Sequence, residues 1–294
     1  MDSSDLESPI WPAQLDHLRL DSDRPEALSR FYADALGLDV LPLDDGSRLL
    51  QGPGRRLVIG AGQANARPYH AWRVQSREQL EAIREFLSAR RLRLETAPRT
   101  LFADGAVAVR DPDGWLNVFG LPDAAVPTPV ARNASGARSL PARLQHVVVA
   151  SDNLPEMVEF YERRLGFVPS DYVSVNPDDP ATRKVAFYRT DPEHHSFAVF
   201  AASSVRPDHH AYETSCWNDI RDWADHLANL DIPIWWGPGR HGAGNNLFFM
   251  IKDPHGHPIE FSAELEVLPR YLPPRRWASD GRAVNLWGSA WDRD

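Results

Sequence analysis

Cysteine is almost absent from this chain. Cys216 stands alone among 294 residues, so no intrachain disulfide can form and a reducing compartment suits it. Long apolar runs are missing too. No stretch approaches the roughly 20 apolar residues of a membrane span. The opening Met1-Asp2-Ser3-Ser4-Asp5-Leu6-Glu7 lacks the basic flank and apolar run of a signal peptide. The expectation is a soluble cytoplasmic protein with no membrane partner. Basic charge is also short, with 32 Lys and Arg against 41 Asp and Glu, a formal net charge of -9. Nucleic acid is therefore excluded as the main partner, because phosphate binding needs a basic face.

What is present is ordinary for a globular protein: 43% hydrophobic and 25% charged residues, over a length that suits two cores. The 10 tryptophans gather late in the chain, where they can pack interfaces or line an aromatic pocket.

The chain repeats itself. Residues 15–37 and 144–166 align without a gap. Leu15, His17, Ser22-Asp23, Phe31-Tyr32 and Leu36-Gly37 match Leu144, His146, Ser151-Asp152, Phe160-Tyr161 and Leu165-Gly166. The offset is constant, since 146 − 17 and 166 − 37 both equal 129. In each copy a short β-prone run precedes helical apolar spacing (25–36 and 154–165), which a glycine then stops. Short strands separated by turn signals follow.

A second unit repeats inside each half. Tyr69-His70-Ala71-Trp72 aligns with His209-His210-Ala211-Tyr212, with helices expected at 77–90 and 217–230. Asp111-Pro112-Asp113-Gly114 aligns with Asp253-Pro254-His255-Gly256, which places Val118 opposite Glu260. The expected fold is α+β: four βαβββ modules paired into two domains, 12–121 and 143–266. A Pro- and Ala-rich linker, 122–142, joins them. A tail, 267–294, could serve as a lid or simply pack.

The two halves control for each other. His146, His210 and Glu260 offer two imidazoles and a carboxylate, the facial ligand set of non-heme ferrous oxygenases, which leaves metal positions open. The corresponding His17, His70 and Val118 cannot complete that set, because valine has no lone pair. The first half is expected to be structural and the second to bind metal. A single strand histidine is ordinarily a packing residue. Three candidate ligands in matched slots are a stronger signal than any one of them.

At these residues the second half resembles the type I extradiol ring-cleaving dioxygenases, catechol 2,3-dioxygenase-like members of the vicinal oxygen chelate superfamily. The resemblance covers nearly the whole chain. It is densest from His194-His195-Ser196-Phe197-Ala198, through Gly237-Pro238-Gly239-Arg240-His241-Gly242, to the Asp253-Pro254 turn and Glu260. Adjacent strand residues face opposite ways, so one of His209 and His210 is the ligand. The repeat and the family pattern both favour His210, leaving His209 to the core or to a supporting position. The family pattern likewise selects His195 over His194. Where the family usually has a tyrosine, three residues before the Asp-Pro turn, this chain has Met250, which offers no hydroxyl.

The resemblance implies an enzyme of aromatic catabolism, an oxidoreductase using Fe(II), with Mn(II) as the alternative metal, and O2 to open a catechol ring. It implies His195 as the proton carrier and His241 as a hydrogen-bond donor to substrate. Met250 and Trp236 are the expected substrate contacts, pointing to an apolar, bicyclic diol. Homo-oligomers are the family habit. Two other readings stay open: a metal-dependent isomerase or lyase of the same superfamily, and a non-catalytic small-molecule-binding module.

Overall fold

The structure is a computed structural model that describes residues 8–127 and 140–291. The middle of the expected linker, the first seven residues and the last three lie outside the described residues.

Four βαβββ modules follow one another. The first comprises β1 (Gln14–Ser22), α1 (Pro25–Leu36), β2 (Asp39–Pro42), β3 (Arg48–Gly52) and β4 (Arg55–Ala61). The second comprises β5 (Ala66–Arg73), α2 (Arg77–Ala89), β6 (Leu94–Glu95), β7 (Val107–Arg110) and β8 (Leu116–Gly120). In the third, β9 (Arg143–Ser151) leads to α3 (Leu154–Glu159), β10 (Val168–Ser174), β11 (Arg183–Arg189) and β12 (Phe197–Ala201). In the fourth, β13 (Arg206–Thr214) leads to α4 (Trp217–Ala228), β14 (Trp236–Arg240), β15 (Leu247–Lys252) and β16 (Pro258–Ala263). The tail adds β17 (Arg275–Ala278).

Local chemistry explains the helix ends. Pro25 opens α1, where its missing N–H is no loss, and Gly37 closes it at φ 62°, a left-handed position that favours glycine. Ser76 caps α2 by accepting from Gln79 N, while Gln79 Oε1 accepts from Gln75 N. The third helix departs from expectation. After Glu159 it widens into a π-helical turn, Phe160–Leu165, before Gly166 stops it at φ 79°.

The first sheet runs β2-β3-β4-β1-β5-β8-β7-β6, and the second β14-β15-β16-β13-β9-β12-β11-β10-β17. At the centre of each, the opening strands of its two modules pair antiparallel: β1 with β5, and β9 with β13. One apolar core takes a face of each sheet together with the helices, and includes Leu28, Tyr32, Val147, Val149, Phe197 and Trp223. The opposite faces carry separate clusters. One holds Tyr69, Ala71, Phe102 and Val118 in the first half. Another holds Val148, Val173, Val185, Phe200 and Ala283 in the second. Alternation along β9, with Val147 and Val149 in the shared core and Val148 across from it, fixes which side chains reach the second face. No helix among the described residues is long and apolar enough to cross a membrane.

Candidate metal centre

The site lies across the three central strands of the second sheet. His146 on β9 is the Cα partner of Ala211 on β13, and Ala211 is the partner of Glu260 on β16. Cross-strand partners share a face, so His146 and Glu260 flank Ala211 on one side of the sheet. His209 is two residues before Ala211 and shares that face. The result is a compact cluster of donor atoms, all within 4.8 Å of one another, from His146, His209 and Glu260. His209 Nε2 lies 3.3 Å from His146 Nε2 and 3.2 Å from Glu260 Oε2, and His146 Nε2 lies 3.6 Å from that oxygen.

The expected His210 is therefore corrected to His209. His210 projects from the other face of β13 into the shared core. There it stacks on Tyr32 and on His257 at ring separations of 5.9 and 5.3 Å. The repeat alignment of His210 with His70 is right, since Leu18 pairs with His70 and Val147 with His210. That slot, however, faces the core in both halves. His70 packs on Trp115 and Phe197. The first half's counterpart of the cluster is thus His17, Tyr69 and Val118, and it is closed. His17 Nε2 accepts from Leu101 N, and Phe102 packs 4.9 Å from the His17 ring.

Sequence reasoning missed the groups that orient the ligands. His146 Nδ1 lies 2.6 Å from Gln145 Oε1, and His209 Nδ1 lies 2.5 Å from Asp208 Oδ1. A neighbouring strand residue should point away from its histidine. Here register shifts fall at Gln145 and at Asp208, and these bulges bring each side chain beside the next ring. Both imidazoles then carry their proton on Nδ1 and turn an unprotonated Nε2 inward, the arrangement that metal-binding histidines use. Asn246 Nδ2 donates to Glu260 Oε1 at 3.2 Å. Burial pushes the Glu260 carboxyl up, but hydrogen bonds from His146, His209 and His241 in their protonated forms outweigh this and hold it well below its usual range, and a bound cation would take the place of those protons. Two oriented imidazoles and an ionised carboxylate, all buried, fit a divalent cation.

A small, partly open cavity adjoins this cluster. Val148, Val173, Val185, Phe187 and Phe200 form apolar walls, and His195 and His241 also line it. The His195 ring lies 4.4 Å from that of His146. Burial, with His146 next, drives His195 well below its ordinary pKa, so the ring is neutral. His241 Nε2 lies 3.6 Å from Glu260 Oε1, while its Nδ1 hydrogen-bonds Val284 O. Ala283 and Val284 come from the tail, which thus supplies part of the wall.

Met250 and Trp236 do not line the cavity. Met250 is fully buried in β15 opposite Glu260, and Trp236 packs at a tilt against Phe248, with ring centroids 4.4 Å apart. The two histidines of the Asp-Pro turn are tied to the first half: half-buried His255 meets Ser22 Oγ through Nε2 at 2.7 Å, and buried His257 Nε2 accepts from Arg67 at 3.0 Å.

The model of the glyoxalase/bleomycin resistance protein/dioxygenase superfamily matches residues 14–119 and 143–261, one stretch in each sheet. The chain belongs to that superfamily. Within it, the chain is 25% identical over 285 residues to a manganese-dependent 2,3-dihydroxybiphenyl 1,2-dioxygenase from Geobacillus genomosp. 3, covering 90% of each protein. It is 33% identical over 132 residues to metapyrocatechase 2 from Cupriavidus necator, a match that spans 45% of this chain and 39% of that protein. The fold matches that of homoprotocatechuate 2,3-dioxygenase from Arthrobacter globiformis, with a TM-score of 0.77 at 24% identity over 96% of this chain and 91% of that one. Those two sequence relatives are thus named as ring-cleaving enzymes, one of them manganese-dependent. The fold also matches a Mn(II)-bound glyoxalase from Novosphingobium aromaticivorans, with a TM-score of 0.74 at 24% identity over 94% of this chain and 90% of that one.

Proposed function

We propose that the protein is an extradiol dioxygenase that opens the ring of an uncharged catechol with O2, at a divalent metal held by His146, His209 and Glu260. The observation that carries this reading is the ligand cluster, in which each imidazole is turned inward by its own acceptor. The relatives' names support the same reaction class. Ferrous iron is the proposed metal and manganese the alternative; the same ligands suit both.

When bound, the metal supplies a Lewis-acidic centre with open positions for a vicinal diol and for O2. The chain's own groups do the rest. The apolar walls exclude water and receive the aromatic ring edge-on or face-on. Among the described residues no Lys or Arg lines the cavity, which favours a substrate without a carboxylate. Neutral His195 accepts a proton from a substrate hydroxyl and later returns one to the product oxygen. His241 holds its Nδ1 proton against Val284 O, so donation to substrate through Nε2 would need a second proton on the ring. Its first task is to tie the cavity wall to the tail.

An isomerase or lyase of the same superfamily would call for a further carboxylate near the metal. Among the described residues, Glu260 is the one carboxylate lining this cavity, which favours ring cleavage. The test is anaerobic metal reconstitution followed by oxygen uptake with a panel of catechols. Stoichiometric oxygen consumption and a coloured ring-opened product are expected with iron or manganese. Metal binding without oxygen uptake on any catechol would sink the proposal.

A further inference from the structure

The cavity histidine is tied to the C-terminal tail through two buried side chains. His195 Nδ1 lies 2.9 Å from His194 Nδ1. On the far side of that ring, His194 Nε2 lies 2.9 Å from Asp171 Oδ2. Asp171 on β10 is fully buried. Its carboxylate accepts from Arg275 Nε at 2.8 Å, from Arg275 Nη2 at 2.9 Å and from Trp277 Nε1 at 2.9 Å. Arg275 and Trp277 belong to β17, which pairs parallel with β10 in a register that sets Arg275 opposite Asp171. Glu266 takes the remaining face of the guanidinium.

This geometry selects one arrangement of protons. Burial acts to raise the Asp171 pKa, but the contacts with His194 and Arg275 outweigh it and hold the carboxyl below its usual range. Asp171 Oδ2 lies 2.9 Å from His194 Nε2 as a charge contact whose N–H is not aligned as a hydrogen bond, and an ionised carboxylate offers only lone pairs; with one proton on the His194 ring, that contact places it on Nε2. His194 Nδ1 then has only a lone pair to offer. The 2.9 Å contact to His195 Nδ1 requires the proton to be on His195. His195 Nε2 is left as the unprotonated nitrogen for the cavity that the ring lines.

We propose that Arg275 and Trp277 of the tail strand fix the tautomer of His195, acting through Asp171 and His194, so that a lone pair on Nε2 faces the metal cavity. The tail is thereby a positioning element of the site as well as part of its wall. Asp171, His194, Arg275 and Trp277 are positioning residues, because none of them lines the cavity. The consequence for turnover rests on the ring-cleavage reading, whereas the tautomer itself does not.

Nitrogen-15 NMR of the histidine rings in the metal-free full-length protein tests this directly. The His195 signals are assigned by their loss in His195→Phe. The native pattern expected is a proton on Nδ1 of His195 and on Nε2 of His194. Asp171→Asn presents an amide that can donate to His194 Nε2, and should reverse both tautomers. With metal restored, it should lower kcat for oxygen uptake at least about tenfold, as for a base held in the wrong tautomer, with KM and metal content near native. A native His195 protonated on Nε2 would overturn the proposal, as would an unchanged pattern in Asp171→Asn. Should that variant fail to fold, Arg275→Gln, which loosens the tail strand, should give a mixture of His195 tautomers. A single unchanged pattern there removes the tail from the relay. The stated pattern without oxygen uptake on any catechol would refute ring cleavage and leave the relay standing.

Discussion

Tyr161 of the second half donates its hydroxyl to the buried carboxylate of Asp111 in the first, at 2.7 Å. The repeat returns the gesture: Tyr32 of the first half donates to Asp253 of the second, at 3.2 Å. Both tyrosines lie in the segment after the opening strand of a half, and both aspartates begin an Asp-Pro turn. Each half thus reaches into the same turn of the other. The duplication built a reciprocal clasp around one shared core.

Asp111 makes the clasp sensitive to pH. Burial raises its pKa to about 7, and the hydrogen bonds from Tyr161 and Trp115 N pull it back only in part. The folded state therefore keeps a proton that the unfolded chain releases near pH 4. The associated stability is fully present below that value and is lost as pH rises toward about 7. Asp111→Asn keeps an acceptor for Tyr161 and should remove this loss. Denaturant unfolding of the two proteins should show their difference changing by roughly 2–4 kcal/mol between pH 4 and pH 7. Parallel curves would refute the role of Asp111.

The ligand set predicts a sharp contrast between neighbours. His146→Ala, His209→Ala and Glu260→Ala should each abolish metal retention in anaerobic elemental analysis. His210→Ala should keep the metal and lose stability instead, by about 1–3 kcal/mol, because it empties a packed core site beside Tyr32. Metal lost from His210→Ala and kept by His209→Ala would reverse the assignment.

His17 is expected to serve the fold alone. His17→Ala leaves Leu101 N without its acceptor and should lower stability by about 1–3 kcal/mol. Metal content and oxygen uptake of the folded variant should match the native protein. A drop in metal per chain would place a second centre in the first half.

Restoring the family's tyrosine at position 250 should be harmful. Met250 is fully buried opposite Glu260, so Met250→Tyr must fit a larger ring and a hydroxyl into packed space. Overpacking of this kind costs about 1–3 kcal/mol, read as a lower Tm. An unchanged Tm with altered catechol preference would mean that position 250 reaches the cavity.

The His195 imidazole should matter for turnover and not for binding. His195→Phe is expected to retain metal and to slow oxygen uptake by about 100-fold to 10,000-fold. Full activity in that variant would remove it as the proton carrier.

The amino-acid sequence alone determined the duplication, the four-module order and the half that carries the carboxylate. Those properties are written in local signals: the repeated Leu-x-His, the glycine stops Gly37 and Gly166, and Glu260 standing where the other half has Val118. It also determined that His209 and His210 point opposite ways, because strand side chains alternate. Which of the two meets the metal was decided by pairing across strands. His146, Ala211 and Glu260 form one row, and only His209 shares its face. The bulges that swing Gln145 and Asp208 beside their histidines arise from mismatched register between β9 and β13, a relation that neither strand carries by itself. The cavity wall was beyond local reading for the same reason. Ala283 and Val284 join the cavity that His146 lines because β17 pairs with β10 and carries the tail across the sheet.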